Sequence, residues 1–186
     1  MEISAIAAPA AGLAAFLALP TYFSIKLTSA AGDIMPRTVT HTRELFDYIS
    51  QHFILTPPTI RDGMPNMYAG IVLLILIPMY FLTRAVPHKS KFLHLGLLLV
   101  LILSFNINVL DFIWHGMHFP NQLPYRNSFV YIFLVLSMAY PVLTHLREFS
   151  GKQIGAISLA GAGIVLLAQK LNDKTPELQT LYVSLA

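Results

Sequence analysis

The chain contains no cysteine, one tryptophan and little charge. Without cysteine there are no disulfides, no thiolate metal ligands and no thiol nucleophile, and the redox compartment stays undetermined. Charged residues fill 11% of the 186 positions, where a soluble domain carries about 25%. Against that scarcity, 55% of residues are hydrophobic and mean hydropathy is +0.63. The composition describes an all-α integral membrane protein, a single transmembrane domain over residues 1–186, rather than a globular unit with a large core. The net charge of +3 is small, and its basic residues sit beside apolar runs, which suits anionic lipid headgroups and not nucleic acid. No repeat, low-complexity tract, phosphate-cradling glycine loop or G-x-S-x-G elbow is present, so mononucleotide-loop and serine-elbow chemistry are unsupported. Glu2, with no Lys or Arg, precedes the first apolar stretch, which argues against a signal peptide.

A membrane helix needs about 20 mainly apolar residues. Five stretches qualify: 4–25, 67–83 with Pro78 as a kink, 91–110, 128–146 with a kink at Tyr140-Pro141, and 154–170. The fifth is rich in small residues, Ala156, Ala160, Gly161 and Gly163, which favour close helix packing. Basic residues concentrate in two short loops, Arg84, Lys89 and Lys91 in one and Arg147 and Lys152 in the other, so those loops are expected in the cytoplasm. That orientation puts the N-terminus inside, the C-terminus outside, and loops 26–66 and 111–127 on the outer face. In loop 26–66, Leu45, Ile49 and Phe53 recur at helical spacing, predicting an amphipathic helix over 41–55 that lies at the interface or on the protein's own surface. The Pro- and Gly-rich segment after it, with Pro57, Pro58, Gly63 and Pro65, is a turn-rich return that carries the adjacent pair Arg61 and Asp62.

The densest chemistry lies at residues 105–126, FNINVLDFIWHGMHFPNQLPYR, directly after an apolar run. Ionisable groups at membrane depth are costly and therefore point to function. Asp111, His115 and His118 have the spacing of one helix face, but a zinc site asks for three or four well-placed ligands, and Gly116 and Pro120 oppose a regular helix, so a polar interfacial cluster is favoured over a metal. Arg126 stands before the fourth span, whose start Asn127 or Ser128 can cap. A guanidinium beside a helix N-terminus suits a phosphate or carboxylate, while snorkelling to lipid phosphates is the plainer alternative. Trp114 and Tyr125 fit aromatic-belt anchors, Asn106 and Asn108 fit helix–helix hydrogen bonding, and His94 and His145 fit structural roles.

The stretch from Asn106 to Phe133 resembles the bacterial membrane protein family YfhO, through Trp114, the Phe119-Pro120-Asn121 turn and the Pro124-Tyr125-Arg126 element that opens the next helix. The segment from Ser50 to Pro78 is similar to the same family, and the resemblance covers about residues 15–146. It implies a GT-C-like glycosyltransferase bundle working on the outer face of the membrane. Its donor would be a polyprenyl-phosphate sugar, its acceptor an envelope polymer of the lipoteichoic-acid kind, with no further cofactor. In that chemistry a carboxylate activates the acceptor hydroxyl and cations steady the departing lipid phosphate. The resemblance gives Arg126 and Arg61 the second role, with Asp62, Asp111, His115, His118, Asn121 and Tyr125 beside them. Family chains are several times longer, and their carboxylate lies in a first outer loop that neither Asp33 nor Asp62 matches. The expected partners are therefore the bilayer, the donor, the acceptor and the rest of a longer polypeptide. A transporter with a broken helix and a non-catalytic scaffold subunit remain as alternatives.

Overall fold

A computed structural model describes residues 2–28, 32–41, 43–61, 63–120, 122, 124–172 and 177–185, with backbone alone for residues 2–11 and 25. Asp62 and Asn121 lie outside the described residues. The order is α1 (Glu2–Lys26), α2 (Leu45–Ser50), α3 (Leu73–Leu82), α4 (His88–Asn106), α5 (Asn108–Trp114), α6 (Ser128–Thr144), α7 (Gly151–Leu171) and α8 (Leu178–Leu185), with one 3₁₀ turn at Leu146–Glu148. The all-helical expectation holds among the described residues.

Two helices are long and apolar enough to cross a membrane, α4 and α7. At 1.5 Å per residue they reach about 28 and 31 Å, close to the ~30 Å hydrocarbon core. The stretch expected to span at 67–83 forms a helix of only 10 residues. Residues 65–70 before it lie outside any helix, with Gly70 at φ +104, and the chain enters α3 through a turn at residues 71–72. The stretch 91–110 is two helices, because Ile107 adopts an extended φ of −101 and divides α4 from α5. The stretch 128–146 ends at Thr144, and 154–170 lies within the longer α7.

The core forms where α6 meets α3 and α4. One face of α6, with Tyr131, Leu134, Val135, Met138 and Val142, is buried against Leu76, Met79, Leu101 and Phe105. Helix α7 packs on α3 and α2 through Gly161, Val165 and Ala168. Of the expected small-residue face only Gly161 is buried; Ala156 and Ala160 are exposed. In contrast, Phe16 of α1 is 79% exposed, and nearly all its described neighbours on that helix are exposed too.

The predicted amphipathic helix over 41–55 is corrected to six residues, 45–50. Its expected apolar stripe is split, since Leu45 is 61% exposed while Phe53 is fully buried. The buried side is polar: Asp47, Tyr48, Ser50 and His52. Docking succeeds because each group is satisfied. Asp47 accepts from the Glu44 N–H at 3.1 Å, the Tyr48 hydroxyl donates to the Phe105 carbonyl at 3.0 Å, and Ser50 donates to the Asp47 carbonyl at 2.7 Å. His52 Nδ1 faces the Tyr48 carbonyl at 3.1 Å and Nε2 faces the Tyr131 hydroxyl at 2.9 Å. A carbonyl only accepts, so Nδ1 carries the hydrogen and Tyr131 donates to Nε2. Burial lowers the pKa of the ring, which favours that neutral form.

Gly161 supports a direct test of the α3–α7 contact. A Cβ there would sit 3.6 Å from the Ile75 side chain, an ordinary contact. Gly161→Ala should leave the melting temperature nearly unchanged in detergent. Gly161→Leu should cost about 1–3 kcal/mol by overpacking, and an unaltered melting temperature for it would refute this packing.

Candidate functional site

The break at Ile107 sets the geometry of the site. Interrupting a helix strands backbone donors and acceptors, which must find partners. Here residues 38–41 and 43 supply them as a strap. Ile107 forms an isolated antiparallel bridge with His41. The Asn108 N–H donates to the Thr40 carbonyl at 3.3 Å, and its side chain accepts from the Thr40 N–H at 3.0 Å while donating to the Thr38 carbonyl at 2.9 Å. Asn106 accepts from the Arg43 N–H at 3.1 Å. Both asparagines therefore hold a loop, where helix–helix hydrogen bonding was expected. Asp33 extends the tether by accepting from the Phe119 N–H at 2.8 Å.

With its start fixed, α5 aims Asp111 and His115 together. The side chain of His115 is 5% exposed and that of Asp111 is 13% exposed. The single Nδ1 hydrogen lies between two Asp111 oxygens, the carbonyl at 2.9 Å and the carboxylate Oδ1 at 3.1 Å. The carbonyl takes the hydrogen bond, leaving the buried Oδ1 as a charge neighbour without a hydrogen-bond partner. His115 Nε2 is also buried and unpartnered. The Asp111 carboxylate raises the His115 pKa above its ordinary value, while burial and the Arg126 guanidinium oppose that shift.

The helix then ends. His115 caps α5, and Gly116 and Met117 take left-handed φ values of +74 and +66. His118 is thereby turned off the helix, so the expected three-residue face reduces to Asp111 and His115. Among the described residues, no cluster of three or more His, Asp or Glu is placed to hold a metal ion.

The chain returns through a turn over 124–127 in which Tyr125 has φ +58 and is buried, packed edge-on to Phe105 with centroids 6.0 Å apart. Tyr125 is thus part of the core rather than a belt anchor, whereas Trp114 is 44% exposed, as a belt residue should be. Arg126 is exposed and reaches the Gln122 carbonyl at 3.5 Å. Asn127 is the N-cap of α6, yet its side chain makes no capping hydrogen bond. Both its side-chain polar atoms are buried and unpartnered.

The structure therefore gathers Asp111, His115 and Arg126, with Asn127 following Arg126 at the start of α6. Arg61 is exposed, on a connector that Asn66 closes by exchanging two hydrogen bonds with Thr59, at 2.8 and 3.0 Å. The unpaired state of Asn127 was invisible in sequence, because Asn before an apolar run reads as an ordinary cap. At the other end of the bundle, a cleft of ≈ 600 Å³ is lined by Leu82, Thr83, Arg84, Glu148, Phe149 and Gln153. There Glu148 accepts from the Thr83 hydroxyl and the Arg84 N–H, at 2.9 and 3.2 Å, and these bonds lower its pKa.

The strap yields a prediction. Asn108→Ala removes both side-chain bonds to residues 38–40, each worth about 0.5–1.5 kcal/mol. Hydrogen exchange of the amides of residues 38–43 should quicken about tenfold, with residues of α6 unaffected. Unchanged exchange would mean that the strap is held by other means.

No curated protein and no solved structure matches this chain significantly. The profile of one family does match, described as bacterial membrane protein YfhO, and it aligns with residues 2–185, beyond the 15–146 over which the resemblance was read. With nearly the whole chain matched, and with two helices able to cross a bilayer, the protein belongs to the YfhO family of bacterial membrane proteins.

Proposed function

We propose that this chain forms the lipid-phosphate wall of a GT-C-like glycosyltransferase, which moves a sugar from a polyprenyl-phosphate donor to an envelope polymer on the outer face. The observation that carries the reading is the buried, unpartnered Asn127 amide at the first turn of α6, directly after Arg126. An amide kept out of water without a partner costs about 1–3 kcal/mol. A phosphate oxygen would accept from its Nδ2 and relieve that atom's share of the cost, and the helix N-terminus and guanidinium would stabilise the phosphate charge. The role of such a wall is electrostatic: to hold the lipid phosphate as it departs from the sugar. Family membership supports a membrane location; donor, acceptor and reaction are part of the proposal.

One observation favours a transporter instead, namely the broken helix at Ile107. In a transporter the freed backbone groups line the path. Here the strap occupies groups at the break, notably the Asn108 N–H and side chain, which favours a structural role for the break.

The proposed topology has five crossings, with α1, α3 and α6 also in the bilayer, the N-terminus in the cytoplasm and the C-terminus outside. The absence of native cysteine makes it directly measurable. In intact cells an impermeant thiol reagent should label Gln122→Cys and spare Lys89→Cys; the reverse pattern would invert the topology and remove the site from the outer face.

The phosphate assignment is tested by binding. Arg126→Ala should weaken capture of a long-chain polyprenyl phosphate by the purified chain about tenfold or more, the scale of one charge-assisted hydrogen bond, with the melting temperature unchanged. Equal affinity would reduce Arg126 to a snorkelling lipid anchor.

A further inference from the structure

We infer that Asp111 and His115 form a proton-linked phosphate clamp, in which the imidazolium keeps Nδ1 on Asp111 and offers its Nε2 hydrogen to a phosphodiester oxygen. The inference rests on the phosphate reading of Arg126 and Asn127 and adds a second donor whose strength depends on pH.

The geometry is that of an oriented imidazole. Two Asp111 oxygens, at 2.9 and 3.1 Å, fix Nδ1 and with it the ring plane. That leaves Nε2 as the one atom of the ring with hydrogen-bonding capacity to spare, on a side chain only 5% exposed and without a partner. A buried polar atom left unpaired calls for a reason. If the ring were merely structural, the free nitrogen would be a net cost. His52 shows the settled alternative in the same chain, with both ring nitrogens engaged.

The charges around His115 fit a clamp that closes on an anion. Asp111 favours the protonated ring and Arg126 disfavours it. A phosphodiester monoanion seated against Arg126 would neutralise the opposing charge and accept from Nε2, favouring protonation further. The remaining ionisable neighbours in sequence and tether are His118, two residues past Gly116, and Asp33 on the Phe119 amide. Neither is hydrogen-bonded or ion-paired to the ring. The sign follows: His115 has a raised pKa, so its donor is present below the ordinary histidine value and is lost as pH rises through the raised one.

A polyprenyl phosphodiester bearing one sugar is a suitable probe, because its single charge stays fixed from about pH 5 to about pH 8.5, a range that brackets histidine titration. Its affinity for the full chain in nanodiscs should fall about tenfold or more across that range. His115→Gln, whose side-chain amide donates at every pH, should bind with no pH dependence. Asp111→Asn should move the midpoint to lower pH, which guards against a His115 variant that fails to fold. NMR of histidine-labelled protein should show the His115 midpoint rising when the probe binds. A water-soluble dialkyl phosphate should repeat the pH dependence at weaker affinity; equal affinity for it would overturn the lipid as the source of the phosphate. A flat wild-type profile, with Arg126→Ala still weakening binding, overturns the clamp and leaves the phosphate site standing. Indifference to both pH and Arg126→Ala overturns the two together.

Discussion

A helix interrupted near a bilayer must give its loose backbone groups new partners, and the junction of α4 and α5 depends on how that is done. Ile107 breaks the ladder without a proline. His41 answers it with an isolated bridge, and two asparagines flanking the break complete the hold on Thr38, Thr40 and Arg43. Once the break is fixed, α5 leaves at a set angle, Asp111 and His115 share a face, and the chain can turn through Gly116 and Met117 back to Arg126. A continuous α4 would carry those residues onward along one axis and scatter the group.

The core and the site share the helix α6. Its buried face packs on α3 and α4, while its first turn carries Asn127. Tyr131, a turn later, receives His52 from the loop before α3. The same helix thus ties the loop between α2 and α3 to the core and presents the polar end of the site. Among the described residues, Asn127, His115 Nε2 and Asp111 Oδ1 are the places where local satisfaction fails at the junction, and such local failures gather where proteins bind.

The helical class, the approximate places of α1, α4, α6 and α7, and the family were legible from hydropathy runs and from the motif around Trp114 and Arg126. Runs of apolar residues announce burial or lipid exposure, and four of them were long enough to fix helices. What could not be read was anything decided by a distant partner. The break at Ile107 depends on His41, and no local signal marks an isoleucine as a breaker. The wheel drawn through Leu45, Ile49 and Phe53 failed because polar groups on the other side were satisfied across the fold, by Phe105 and Tyr131. The α3 stretch was apolar enough to span, but Gly70 and the non-helical residues before it shorten the helix. At the site, Asp111 with His115 followed from their spacing, whereas the buried, unpartnered state of Asn127 depends on the surrounding fold, which spacing does not reveal.

Lys91 carries a consequence for how the chain is threaded into the bilayer. Its ammonium is buried and donates to the Phe81 and Thr83 carbonyls, at 2.9 and 2.5 Å, at the C-terminal end of α3. There it complements the negative end of the helix dipole. During insertion, before α3 and α4 meet, the same charge is free and counts with Arg84 and Lys89 toward cytoplasmic retention in the proposed orientation. In that proposed orientation one lysine would serve first as an address and afterwards as a capping cation. Its replacement by a neutral residue would act on two stages of biogenesis, the choice of side and the closing of the α3–α4 corner.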